Sequence, residues 1–313
     1  MAADSRPALL LLDTASLYFR AFFGVPDTLT APDGTPVNAV RGLLDFIARL
    51  AGDRMPHTIV CCWDDDWRPA WRVALLPSYK AHRVVEEVAG DPDVEVTPDP
   101  LAVQVPLIAE TLALLGVPVV GAAEHEADDV IGTLATRGDG PVEIVTGDRD
   151  LFQLVDDAAG VRVLYTARGV GRLETVDARW VRERYDVEPH QYADFAVLRG
   201  DPSDGLPGVS GIGAKTASAL LAAHGDLGGI LRAAAAGNAP AAKQAQRLAA
   251  AGDYLTAAPT VVGVVRDLDL GGAELQLGPW GTDAAEAWAA HSQRWGLGGS
   301  ADRAAAALAP LRP

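Results

Sequence analysis

The sequence predicts an α/β protein, a mostly parallel sheet with helices, followed by a smaller all-helical domain. Three observations point there. Short continuous apolar runs at 8–12, 58–63 and 142–145 are bounded by turn residues and read as buried parallel strands. Segments of helical period lie between them, as in 40–50 with Val40, Leu43, Leu44 and Ile47. Beyond residue 190 a glycine-rich turn and alanine-rich stretches take over. A chain of 313 residues can hold such a pair of units. The division falls near residue 190, giving domains 1–190 and 191–313.

In chain order, the first strand runs into Asp13, and 14–23 follows as a helix carrying Phe19 and Arg20. The second ends in Asp64, Asp65 and Asp66. Two strands thus deliver Asp to one edge of the sheet, the edge at which open α/β sheets form their sites. Residues 67–83, WRPAWRVALLPSYKAHR, are the most basic stretch, with Arg68, Arg72, Lys80 and Arg83 set among aromatic residues. That interleaving suits single-stranded nucleic acid; the plainer alternative is a surface helix with snorkelling side chains. Charge then reverses: 86–99 holds six acids, with prolines and little apolar content, and reads as a mobile loop. Leu101, Val105, Ile108, Leu112 and Leu115 form a helical stripe that serves core packing, and 117–120 is a strand.

Residues 124–150 carry the densest chemistry. Glu126, Asp128 and Asp129 open a helical segment, and Asp148 and Asp150 follow the strand at 142–145. Carboxylates this crowded repel one another unless a cation neutralises them, and hard oxygen ligands suit Mg²⁺ or Mn²⁺. A solvated acidic surface is the alternative, but these acids flank apolar segments instead of forming a polar run. After a strand at 161–165 and helices at 180–185 and 190–198, a second acidic pair, Asp201 and Asp204, precedes Gly211-Ile212-Gly213. Ala214-Lys215-Thr216-Ala217 then opens a helix, whose first amides could hold a phosphate. Alone this is a weak signal, and its spacing is not that of a P-loop. Residues 233–251 read as helix, and the tail at 271–313 as short helices packed back on the body through Trp280, Trp288 and Trp295.

Composition excludes several classes. No apolar run reaches the length of a membrane span, and the N-terminus lacks the charged start of a secretion signal. Two adjacent cysteines, Cys61 and Cys62, sit in an apparent buried strand; they fit core filling in a reducing cytoplasm and exclude a disulfide framework. Net charge is 26 − 42 = −16, which taken alone argues against nucleic acid. Metal ions would offset part of it, and residues 201–250 escape it, with four Lys/Arg against three Asp.

Together, LLDTASLYFRAFF, WRVALLPSYKAHR after Asp64, EADD, TGDRDLFQL and LRGDPSDGLPGVSGIGAKTA resemble the bacterial 5′–3′ exonuclease and flap endonuclease family, also found as the N-terminal domain of DNA polymerase I. The resemblance covers about residues 8–260. It implies a PIN-like (resolvase-like) sheet with helices on both faces, a helical arch near 67–100, and a helix-hairpin-helix at 206–224. It implies one metal on Asp13, Asp64, Glu126 and Asp128 and a second on Asp148, Asp150 and Asp201, with Asp129 and Asp204 lining the pocket. Two such ions, Mg²⁺ or Mn²⁺, stabilise both oxygens of an in-line phosphodiester displacement by water. Lys80 and Arg83 look like the family's catalytic pair at the arch base, acting on the scissile phosphate. Phe19 looks like a base-stacking ring, and Arg20 and Arg72 like phosphate contacts. Gly211, Gly213, Lys215 and Thr216 would grip the duplex backbone without reading sequence, with K⁺ held by carbonyls of that turn.

Four departures stand out. One extra residue separates Asp64 from Arg72, so Asp65 competes for the ligand role, with Asp64 favoured and Asp66 nearby. Arg149 replaces the usual Lys, and Gly205 the usual Asn. The acidic stretch at 86–99 occupies the arch, where a strand would thread. The expected activity is a two-metal 5′–3′ exonuclease and 5′-flap endonuclease of replication and repair, cytoplasmic, monomeric and stand-alone. Its partners would be DNA with 5′ ends, flaps or nicks, including RNA-primed ends, and a separate DNA polymerase. A PIN-type ribonuclease and a non-catalytic DNA-junction binder are the alternatives. The hairpin and Lys80/Arg83 argue against the first, and the full set of acids against the second.

Overall fold

The computed structural model describes residues 6–88 and 92–313. The chain begins with β1 (Leu9–Asp13), α1 (Thr14–Gly24), α2 (Asn38–Arg54) and β2 (Thr58–Cys62). It continues through α3 (Ala70–Leu75), β3 (Val84–Glu86), β4 (Val94–Glu95), α4 (Asp99–Ala102), α5 (Gln104–Leu114) and β5 (Val119–Val120). Next come α6 (Ala127–Arg137), β6 (Val142–Thr146), β7 (Val161–Tyr165), β8 (Glu174–Val176), α7 (Ala178–Tyr185) and α8 (Tyr192–Arg199). A helical part follows, α9 (Ala214–His224), α10 (Leu227–Ala235), α11 (Ala245–Ala250) and α12 (Gly252–Val262), and the tail adds α13 (Thr282–Trp295) and α14 (Gly299–Leu308).

The main sheet has the order β5-β2-β1-β6-β7-β8, parallel except for β8. The central strands β2, β1 and β6 are nearly continuous in buried apolar residues, as strands covered on both faces must be. Alternate side chains feed two cores: Leu11 joins one, Leu10 and Leu12 the other. The first core extends through α6 and α8 into α9–α12, and the second packs α1, α2 and α5 beneath the tail. Because β2, β1 and β6 are parallel neighbours, Asp13 lies level with Cys62, and the residues after β2 and β6 emerge beside it. Cys61 and Cys62 are fully buried free thiols. Among the described residues, no helix is long and apolar enough to cross a membrane.

Two segments take their form from tertiary contacts. The described residues between 67 and 100 form no long arch helix. They hold the six-residue α3, a 3-10 turn at Ala81–Arg83, the antiparallel ribbon β3–β4 and the start of α4. The ribbon is anchored to the basic stretch: Arg68 Nη1 donates to Asp93 at 2.5 Å, Trp67 Nε1 to the Asp93 carbonyl at 2.6 Å, and Arg83 lies 4.0 Å from Glu95. Of the acidic segment read as a loop, 89–91 lie outside the described residues. The end of the chain, in turn, packs back on the first part. Leu297, Ala301, Ala304 and Leu308 are fully buried against the second core, because α13 and α14 turn their apolar stripes onto α5 and α2.

Candidate active site

Asp13 ends β1 and caps α1, accepting from the Ser16 N–H at 3.1 Å, while Thr146 Oγ1 donates to its other oxygen at 2.6 Å. Thr146 closes β6 and also accepts from the Asp148 N–H at 2.8 Å, so one hydroxyl ties the two strand ends together. Asp64 follows β2 and accepts from the Ala127 N–H at 2.7 Å, at the first residue of α6. That helix starts with a capping box in which Glu126 and Asp129 reciprocate. Its first turn brings Asp128 to the same edge, and Asp13, Asp64, Glu126, Asp128 and Asp148 share one cavity of about 230 Å³. Lys80, Arg83, Phe19, Trp67 and Glu95 complete its walls.

The field inside is strongly negative. Burial, then Asp64, pushes the Asp13 carboxyl up to about 7. Burial, then Asp148 and Asp13, holds Asp128 well above the usual carboxylate range. Asp64 is raised as well, by burial foremost. Glu126 goes the other way: burial pushes it up, but Lys80 and Arg72 outweigh that and hold it low. Lys80 Nζ donates to Glu126 Oε2, and Tyr79 OH to Glu126 Oε1 at 2.7 Å.

Asp150, Asp201 and Asp204 stand beside this cavity, not in it. Burial, then Asp148, raises Asp150, so Asp148 links the two groups of acids. Asp150 and Asp204 are hydrogen-bonded to each other. Asp201 is held by Arg199 at 2.9 Å, Arg149 at 3.4 Å and the Ser203 hydroxyl at 2.5 Å. Arg83 reaches the Ser203 carbonyl at 2.8 Å and Asp204 at 3.5 Å. The donor set, carboxylate oxygen only, buried and mutually repelling, has the chemistry of a hard dication site. Among the described residues, no three of these groups converge on a point that could hold an ion as they stand. The chain's own cations and hydrogen-bond donors partner Asp13, Asp64, Glu126 and Asp201.

Arg72, expected as a phosphate contact, is only 2% exposed. It donates to Glu126 at 2.9 Å and to both oxygens of Asp129 at 2.7 and 3.0 Å, so its guanidinium is turned into the protein. Asp129, expected at the metal pocket, is fully buried; Arg72 and the Val265 N–H, at 2.9 Å, occupy its carboxylate. Arg68 is buried too, which leaves Lys80 and Arg83 as the cations of that stretch near the cavity. Asp64 faces the cavity, whereas Asp65 and Asp66 line a separate pocket of about 730 Å³. Phe19 and Arg20 line a groove of about 850 Å³ that adjoins the cavity at Ser16 and Phe19. In the helical part, Gly211 has φ +78°, Gly213 caps α9, Lys215 is exposed and Thr216 half-buried. Thr146, Tyr79 and Gln153 hold the site without having been singled out in the sequence. For Thr146 the signal was present, a hydroxyl beside Gly147-Asp148 at a strand end.

Family models for the 5′–3′ exonuclease N-terminal resolvase-like domain and the 5′–3′ exonuclease C-terminal SAM fold match residues 8–186 and 187–283. The chain belongs to the 5′–3′ exonuclease family. It is 60% identical over 300 residues to a 5′–3′ exonuclease of Streptomyces coelicolor, covering 94% of this chain and 98% of that protein. It is 41% identical over 227 residues to DNA polymerase I of Mycobacterium tuberculosis, covering 71% of this chain and 24% of the polymerase. In fold it resembles the phage T5 5′-exonuclease solved with bound zinc, with a TM-score of 0.63, 19% identity, and coverage of 97% of this chain and 98% of that one. The strand-end acids described above therefore lie within the part of the chain that the N-terminal family model matches, apart from Asp201 and Asp204.

Proposed function

We propose that this member of the exonuclease family is a divalent-metal-dependent 5′–3′ exonuclease and 5′-flap endonuclease acting on DNA. The observation that carries the reading is the cavity where three strand-end aspartates and the first turn of α6 meet Lys80 and Arg83. Asp13, Asp64, Glu126 and Asp128 would hold one Mg²⁺ or Mn²⁺, and Asp148, Asp150 and Asp201 a second, with Asp204 lining the pocket. When bound, the ions would activate water and stabilise the attacking and leaving oxygens of an in-line displacement.

The chain's own groups do the rest. Thr146 and Ser16 fix the Asp13 carboxylate, and the Ala127 N–H fixes Asp64. Lys80, which donates to Glu126, would meet the scissile phosphate, with Arg83 beside it. Phe19 at the cavity wall stacks on the terminal base, and Arg20 in the adjoining groove meets the phosphate next to it. Gly211, Gly213, Lys215 and Thr216 hold the duplex backbone, with K⁺ at the hairpin turn. Substrates would be nicked, flapped or RNA-primed 5′ ends, and a separate DNA polymerase a partner, with the chain acting as a monomer in the cytoplasm.

The test is cleavage of a 5′-labelled flap duplex with Mg²⁺, with Mn²⁺ and with chelator, beside a blunt duplex and a single strand. Metal-dependent cutting near the junction is expected, lost by at least about 100-fold in Asp148→Ala while flap binding persists. Cutting that survives Asp148→Ala, or binding without cutting in either metal, would overturn the reading.

A further inference from the structure

One helix end grips both groups of acids. The last carbonyls of a helix have no partner within it and carry the negative end of its dipole. In α12 and the residue after it, those carbonyls are taken up by two buried side chains from the α/β part. Arg72 Nε donates to the Val261 carbonyl at 3.0 Å and Nη2 to that of Gly263 at 3.5 Å, while the same guanidinium holds Glu126 and Asp129. Gln153 Nε2 donates to the Val262 carbonyl at 3.1 Å and to that of Asp150 at 2.8 Å, and its oxygen accepts from the Val264 N–H at 3.0 Å. Gln153 is 6% exposed, with both ends of its amide engaged. At its other end α12 is fastened to α8: Tyr254 OH donates to the Val197 carbonyl at 2.8 Å.

We propose that Arg72 and Gln153 are positioning residues through which the end of α12 fixes Glu126 relative to Asp150. Arg72 would set the acids of α6, and Gln153 the turn that follows Asp148. Neither touches substrate. A dication needs its oxygens within a few tenths of an ångström of the preferred distances, and these two side chains span the separation between the acid groups from one rigid support. The inference rests on the two-metal reading above and adds which residues set the spacing.

Gln153→Met removes the amide at nearly constant volume, and Gln153→Glu keeps the acceptor but loses both donors. Both are to be compared with the unaltered chain, well below each variant's melting midpoint. Mn²⁺ alone is titrated into DNA-free protein by electron paramagnetic resonance, flap affinity is measured in chelator, and kcat and KM are measured in Mn²⁺. Supports of metal ligands are typically worth about 10- to 100-fold in metal affinity or activity. A loss of that size in Mn²⁺ affinity and kcat is expected in both variants, with KM and flap affinity unchanged and activity recovering as Mn²⁺ is raised. Native Mn²⁺ affinity in either folded variant would overturn the inference, as would a fall in flap affinity without a change in metal binding. Were the unaltered chain to bind no Mn²⁺, the two-metal reading would fall first and this inference with it.

Discussion

Asp128 and Asp129 are neighbours, yet one lines the cavity and the other is sealed under Arg72. Successive helical residues point about 100° apart, and here that step leaves Asp128 at the cavity and turns Asp129 toward Arg72. In the fold Asp129 is the third residue of α6 and closes a capping box with Glu126, a role the sequence reading, which put it at the metal pocket, did not assign. What could not be read was its partner. Arg72 lies 57 residues from Asp129 and 189 from Val261, and no local pattern encodes a pairing at that distance. Basic and aromatic interleaving at 67–83 suggested a surface; two of its four cations turned inward because buried carboxylates need their charge. Removing one partner of such a buried network typically costs about 3–5 kcal/mol. Arg72→Met should therefore lower unfolding free energy by about that much in urea titrations, and Arg72→Lys by less. A loss below about 1 kcal/mol would show that Glu126 and Asp129 find water or other donors when the fork is gone.

At the scale of elements, the strands were legible and the ribbon was not. Apolar runs ending in Asp mark β1, β2 and β6 unambiguously, whereas β3 and β4 pair over a few residues, and Asp93 and Glu95 are held by Arg68 and Arg83 from outside the ribbon. The turn between Asp204 and the hairpin shows how closely two such elements meet. Gly205 has φ +70°, and a Cβ there would stand 1.9 Å from the Ser78 carbonyl oxygen, while the Lys80 N–H donates to the Asp204 carbonyl at 3.0 Å. Glycine at this position is thus matched to the contact. Gly205→Ala combines a left-handed penalty of about 1–2 kcal/mol with a backbone collision. It should lower the melting midpoint and, by pushing the segment that bears Lys80, reduce kcat more than flap affinity. An alanine variant with native midpoint and native kcat would mean that the 78–80 segment moves aside without consequence.

Across the whole molecule, the tail was predicted to pack back through its indoles, and it does, with Trp288 buried and Trp280 and Trp295 partly buried against the second core, but the face covered, on α2 and α5, depends on tertiary contacts that composition cannot rank. Charge is the other whole-molecule quantity, and the sequence could only total it. The fold concentrates it, so that folding the metal-free chain presses acids together. A carboxyl raised to about 7 in the folded chain, against about 3.9 unfolded, contributes stability that is full below about pH 4 and lost as pH rises through about 7. Glu126, held low, acts in the opposite direction, so the bare pH profile mixes signs. Asp13→Asn isolates the first effect, because the amide cannot ionise. In chelator, the variant should match the native melting midpoint near pH 4 and exceed it at pH 8, by the equivalent of a few kcal/mol at most. With saturating Mg²⁺ at pH 8 the order should reverse, since an ion that binds only the folded chain stabilises it by about 2.7 kcal/mol at a hundredfold excess over its dissociation constant. A variant no more stable than the native chain at pH 8 in chelator would show that Asp13 ionises there without penalty, and that its neighbours are already far enough apart to need no metal.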